Sequence, residues 1–186
     1  MTAEKGLRRA VLIVATLTAF MMPFMLSAVN LALPVIQREF GLSAAMLNWV
    51  VSIYLLSAAV ALVPAGKLAD LYGRKLLFTA GVVLFSVSSL GLGFSSGIVW
   101  LLAGRVAQGL AGGMIMATGL AIISSVFPAG ERGRAIGFNV AAVYIGLAVG
   151  PYAGGLLTES LGWRSIFFCN VPLGILIVAL LVLMVE

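Results

Sequence analysis

Arg105 and Gln108 are the residues with most chemistry to offer, because they sit inside "LLAGRVAQGLAGGMIMATGLAIISSVFP" (101–128), an otherwise apolar run. Arg105, Gln108, Gly109, Gly112, Gly113 and Met116 recur at i, i+3, i+4, i+7, i+8 and i+11, so they share one helix face. An arginine at membrane depth is costly and faces protein or water. Alternatively, its stem carries the charge to the headgroups, since Trp100 lies five residues away, about 7.5 Å along a helix. The shared face favours an inward site. A guanidinium stays protonated, so Arg105 can bias a neighbouring carboxylate but is a poor proton carrier. A second constellation is "GKLADLYGRK" (66–75), where Lys67, Asp70, Arg74 and Lys75 crowd between apolar runs. Asp70 either pairs locally with Arg74 in a solvated turn or reaches a partner across a moving boundary. Asn30, Tyr54 and Asn139 are the other polar candidates, each fit for a cavity wall or for a bond to a neighbouring helix. Histidine is absent and Cys169 is the single cysteine. No internal disulfide and no Cys/His metal site is therefore expected. No phosphate-binding loop or other enzyme chemistry is visible.

These residues need helices in lipid to hold them. Hydrophobic residues make up 62% of the chain and the mean hydropathy is +1.19, well beyond the ~45–50% apolar content of soluble domains. Runs of about 20 apolar residues cross a bilayer core. Six such helices are expected near 9–30, 44–65, 75–95, 98–127, 134–158 and 165–185, forming one all-α bundle over 1–186. The net charge of +5 falls in the short links, so it sets topology and does not point to nucleic acid. Lys5, Arg8, Arg9, Lys67, Arg74, Lys75, Arg132 and Arg134 collect on one side, against Arg38 and Arg164 on the other. By the positive-inside rule both termini are expected in the cytoplasm. Trp49, Trp100 and Trp163 then fall near the opposite face as interfacial anchors. Gly66 and Gly73 would supply the turn between the second and third spans.

Three motifs carry a family resemblance. "GKLADLYGRK" resembles the pattern G-x-L-a-D-r-x-G-r-k found between the second and third helices of the major facilitator superfamily, matching at Gly66, Leu68, Asp70, Gly73, Arg74 and Lys75. "RVAQG" looks like that superfamily's fourth-helix pattern R-x-x-Q-G. "GLAVGPYAGG" resembles G-x-x-x-G-P-x-x-G-G of its drug:proton antiporters, through Gly146, Gly150, Pro151, Gly154 and Gly155. On spacing alone, Gly146, Gly150 and Gly154 make a smooth ridge for close helix approach, and Pro151 bends the helix. "VNLALPVI" (29–36), "WVVSIYLL" (49–56) and "LGWRSIFFCNVPLG" (161–174) are similar to phrases of the fourteen-helix exporter branch.

The resemblance implies a 3+3 repeat of helices, the N-terminal half of a major facilitator fold. It implies a second six-helix bundle as partner, within a longer polypeptide, as a separate subunit or as a second copy. It further implies alternating access, a bacterial inner-membrane location, small drug-like substrates, no bound cofactor and a proton gradient as energy source. Arg105 is associated in the family with proton transfer, Asp70 with a cytoplasmic latch, and the glycine ridge with a seam against the other half. One position departs from the branch. Met25 stands where many members carry an aspartate, and no acidic residue falls within the six expected spans. A metabolite facilitator without the proton site, or a non-transporting membrane scaffold, therefore stay open as alternatives. The cluster Phe20, Met21, Met22, Phe24 and Met25 offers either an adaptable surface for greasy substrates or ordinary packing.

Overall fold

The computed structural model describes residues 2–184, with side chains over 6–183; the side chain of Lys5, counted above with the cytoplasmic basic residues, lies outside the described residues. All secondary structure described is helical: α1 (Thr2–Phe40), α2 (Ala44–Tyr72), α3 (Arg74–Gly93), α4 (Ile98–Val126), α5 (Ala129–Leu161), α6 (Arg164–Phe168) and α7 (Asn170–Met184). Six segments are long and apolar enough to span a bilayer, α6 and α7 together making the sixth.

The helices run further than the polar residues suggested. The first was expected to end near residue 30, yet α1 continues through Pro34 to Phe40. In lipid a helix keeps its remaining backbone bonds satisfied, so one missing donor does not end it. The first link shrinks to 41–43, and Ser43 caps α2 by accepting from the Met46 amide at 3.3 Å. Likewise α2 runs to Tyr72, so Lys67 and Asp70 ride on its last turns. Gly66 is helical, and the turn falls on Gly73 alone, at φ +97°. An L side chain is strained at that angle. The sixth span divides at Cys169. Pro172 has no amide to bond the Phe168 carbonyl, which frees the helix to bend there.

The packing shows an internal repeat. The first helix of each half pairs with the second of the other: α1 lies chiefly on α5, and α4 on α2. Both ends of α1 are pinned as well. Near its start Arg8 pairs with Glu131 of α5 at 3.2 Å. At its far end Glu39 takes two bonds from Arg164 (2.6 and 3.2 Å) and one from the Trp163 indole (2.6 Å). Arg164 also donates to the Ser95 carbonyl in the α3–α4 turn. Trp163 is thus only 2% exposed, packed edge-on against Phe40 and Phe167. It is a core residue and not the lipid-facing anchor its position suggested. Trp49 and Trp100 are exposed.

Candidate functional site: an apolar cavity beside a buried arginine

The α1–α5 pair is built by glycine. A Cβ on Gly146 would lie 2.5 Å from the Phe20 carbonyl oxygen, one on Gly150 2.6 Å from Ser27 Cβ, and one on Gly154 2.7 Å from Ala28. Spacing of four puts all three on one face, and that face meets the α1 backbone. The ridge is therefore spent inside this bundle, where the family resemblance pointed to the opposite half. Gly155 touches Leu31 with less burial, and Pro151 is exposed. Pro151 removes the amide that would bond the Leu147 carbonyl. Ser27 Oγ replaces it, donating to that carbonyl at 3.0 Å.

The α2–α4 pair uses the same device and adds charge. A Cβ on Gly109 would clash with the Tyr54 carbonyl, and one on Gly113 would lie 2.6 Å from the Ala58 carbonyl. Beside this contact Arg105 is completely buried. Its Nε donates to the Val50 carbonyl at 3.0 Å and its Nη1 to Gln108 Oε1 at 2.6 Å. Gln108 Nε2 passes the chain to Ser89 Oγ on α3 at 2.8 Å. The guanidinium carbon sits 4.3 Å from the centre of the Tyr54 ring. Arg105 Nη2 has no hydrogen-bond partner among the described residues. The arginine does face inward and does not snorkel, but it enters a buried joint between α2, α3 and α4 and is not among the residues lining the hollow between α1, α4 and α5.

Several hollows lie outside this joint. A hollow of about 280 Å³ opens between α1, α4 and α5, with Phe78 of α3 at its side. Thr18 and Met22 of α1, Met116 and Gly119 of α4, and Asn139 of α5 are among its lining residues. Asn139 donates to the Ala15 carbonyl at 2.9 Å, which leaves its amide oxygen without a bond among the described residues. The lining contains no ionisable side chain. Of the five expected cavity residues, the structure sets only Asn139 here. Tyr54, Arg105 and Gln108 are gathered in the neighbouring joint, and Asn30 is exposed on α1 and does not line the hollow. Of the Phe/Met cluster only Met22 lines the hollow. Met21 and Met25 are core residues, Met25 receiving the Asn170 amide at 3.2 Å. Phe20 and Phe24 stack on each other at 5.4 Å. Thr18 was missed by sequence reasoning, which placed Met116 on the Arg105 face without counting it as a cavity residue. The signal available was that Met116 shares the Arg105 face one turn beyond Gly113.

At the turn between α2 and α3, Asp70 is exposed and makes no hydrogen bond or ion pair among the described residues. Arg74, its expected local partner, instead donates to the Ala121 carbonyl near the end of α4, at 3.3 Å. Lys75 is exposed beside it.

Comparison with known proteins agrees with this architecture. Residues 15–186 match the profile of the Major Facilitator Superfamily. The chain is 45% identical over 159 residues to the "Multidrug resistance protein Stp" of Mycobacterium tuberculosis, covering 85% of this chain and 30% of that protein. It is 38% identical over 170 residues to the "Riboflavin transporter RibZ" of Clostridioides difficile, covering 91% and 37%. A third relative, the "Tetracenomycin C resistance and export protein" of Streptomyces glaucescens, is 39% identical over 147 residues, covering 79% and 27%. The chain thus spans about a third of the length of these curated relatives. Among solved structures, the proton:xylose symporter XylE bound to 6-bromo-6-deoxy-D-glucose superposes with a TM-score of 0.85 at 20% identity, covering 96% of this chain and 45% of that one. That likeness concerns the fold. Six bilayer-length helices and this kinship make the chain an integral membrane protein. It belongs to the Major Facilitator Superfamily, a family of transporters and not of enzymes.

Proposed function

We propose that this bundle forms one wall of an exporter of small, largely apolar molecules, working by alternating access against a second six-helix bundle. The observation that carries the reading is the hollow between α1, α4 and α5. It is apolar with a few polar groups, as small-molecule sites are, and it is bounded by the glycine-zipped α1–α5 pair and by α4. Relatives named for multidrug resistance and for tetracenomycin export support the substrate class. Asp70 is exposed and unpaired among the described residues, which suits a latch that closes on the partner bundle and opens in each cycle. The charge distribution supports cytoplasmic termini in a bacterial inner membrane.

Energy from a proton gradient belongs to the same reading. The hollow offers no carboxylate to carry the proton, so this reading assigns the titrating group to the partner bundle. A second reading, a metabolite facilitator without proton coupling, is favoured by the buried Met25 on α1 and by the riboflavin-transporter relative. Counterflow in proteoliposomes holding the complete gene product separates the two. Exporter function predicts flux that accelerates with an imposed pH gradient; flux indifferent to that gradient rules out the antiport version. In the same assay Asp70→Asn should slow turnover several-fold while leaving half-saturation unchanged. Unaltered turnover would count against the latch.

A further inference from the structure

Tyr54 is only 4% exposed, yet its hydroxyl makes no hydrogen bond among the described residues. The ring is enclosed while the oxygen keeps some accessible surface, so the hydroxyl is open to a partner. This one points over Gly112 of α4: a Cβ there would lie 3.3 Å from the hydroxyl and 3.0 Å from the methyl of Met22. Met22 also lines the hollow between α1, α4 and α5. One flexible thioether chain therefore stands between the hollow and an unused hydroxyl. The opposite side of the phenol is set by Arg105, whose guanidinium carbon lies 4.3 Å from the ring centre. A fixed cation against the π face draws electron density from the ring, which makes the O–H a better donor and a poorer acceptor.

We propose that Tyr54 is a substrate-contacting residue that selects apolar, uncharged or anionic molecules bearing a carbonyl or similar electron-rich oxygen. With Met22 displaced, the Tyr54 hydroxyl donates to that oxygen while the rest of the molecule occupies the hollow. Cations are disfavoured, because Arg105 is the charge closest behind the phenol and the lining offers no carboxylate. This proposal rests on the reading of the hollow as the substrate site.

The test compares two ligands of one shape, 9,10-anthraquinone and anthracene, which differ by two carbonyl groups. Binding is measured on the complete gene product in detergent. Tyr54→Phe keeps the ring and its contact with Arg105, so folding is preserved. One hydrogen bond is worth about fivefold in affinity, within a range of roughly two- to twelvefold. The expected result is that Tyr54→Phe weakens anthraquinone by about that factor and leaves anthracene unchanged. Equal loss for both ligands, no change for the quinone, or no quinone binding by the unaltered protein overturns the proposal. Gly119→Leu separates this outcome from failure of the site itself, since it fills the hollow without touching Tyr54. Quinone binding that survives Gly119→Leu refutes the hollow as the site. Binding abolished by Gly119→Leu but spared by Tyr54→Phe refutes only the role of Tyr54.

Discussion

The α1–α5 and α2–α4 pairs solve one problem in two ways. Both bring backbones together by removing Cβ atoms, at Gly146, Gly150 and Gly154 in the first and at Gly109 and Gly113 in the second. Water gives no hydrophobic drive between helices inside lipid, so such close contact and interhelical hydrogen bonds must hold them. Within the membrane the first pair adds neutral bonds to backbone carbonyls, Ser27 to the one freed by Pro151 and Asn139 to that of Ala15, with the Arg8–Glu131 pair at its end. The second adds a fully buried cation wired through Gln108 to α3. The difference teaches that the α1–α5 joint is a steric zip, whereas the α2–α4 joint is specified by polar geometry and ties three helices into one block. The hollow lined by α1, α4 and α5 lies along the boundary between these two units.

Substitutions can break the comparison one joint at a time. The largest effect is expected from filling either zip. Gly146→Leu or Gly109→Leu drives a side chain into partner backbone and should cost about 3 kcal/mol or more, read as a loss of folded protein in thermal unfolding in detergent. A joint that tolerates leucine without loss is not a zip. Next comes Arg105→Ala, which should cost about 2 kcal/mol. The loss of bonds to Val50 and Gln108 is partly offset by removing a buried charge that has no counter-ion. Its effect should be additive with that of changes in the α1–α5 joint, since the two share no partner. Strong coupling would show that the joints are not independent. The smallest effect belongs to Ser27→Ala, about 0.6–1.7 kcal/mol as for other interhelical hydrogen bonds in membranes. That cost should vanish in a Pro151→Ala background, where the Leu147 carbonyl regains its own amide. A cost that persists there would assign Ser27 some other role.

How far the sequence revealed this arrangement depends on the kind of force involved. The six spans were legible because hydrocarbon thickness fixes a minimum apolar length, and the structure has six. Periodicity correctly put Arg105 and Gln108 on one face and the three α5 glycines on another. It could not say which neighbour each face meets, so the arginine was expected at a cavity and the ridge at another bundle. Helix ends were misplaced at Pro34 and Gly66, because both residues mark breaks in water but are tolerated in a long membrane helix. Contacts between distant residues were invisible: nothing in the order of residues announces that Glu39 holds Trp163 and Arg164. Thr18 escaped notice because its type is not distinctive among the apolar residues around it, and Met116, though placed on the Arg105 face, was not counted among the cavity residues for the same reason.

The account stands on the hollow between α1, α4 and α5 being where substrate passes. Gly119 is the cleanest probe, since a Cβ there meets only the Phe78 ring at an ordinary 3.7 Å and a larger side chain enters the hollow. The decisive measurement is substrate flux in proteoliposomes for Gly119→Leu beside the unaltered protein, with thermal unfolding recorded on both. The prediction is flux reduced at least tenfold, about 1.4 kcal/mol, with the unfolding midpoint unchanged. Full flux in a correctly folded Gly119→Leu protein would contradict it.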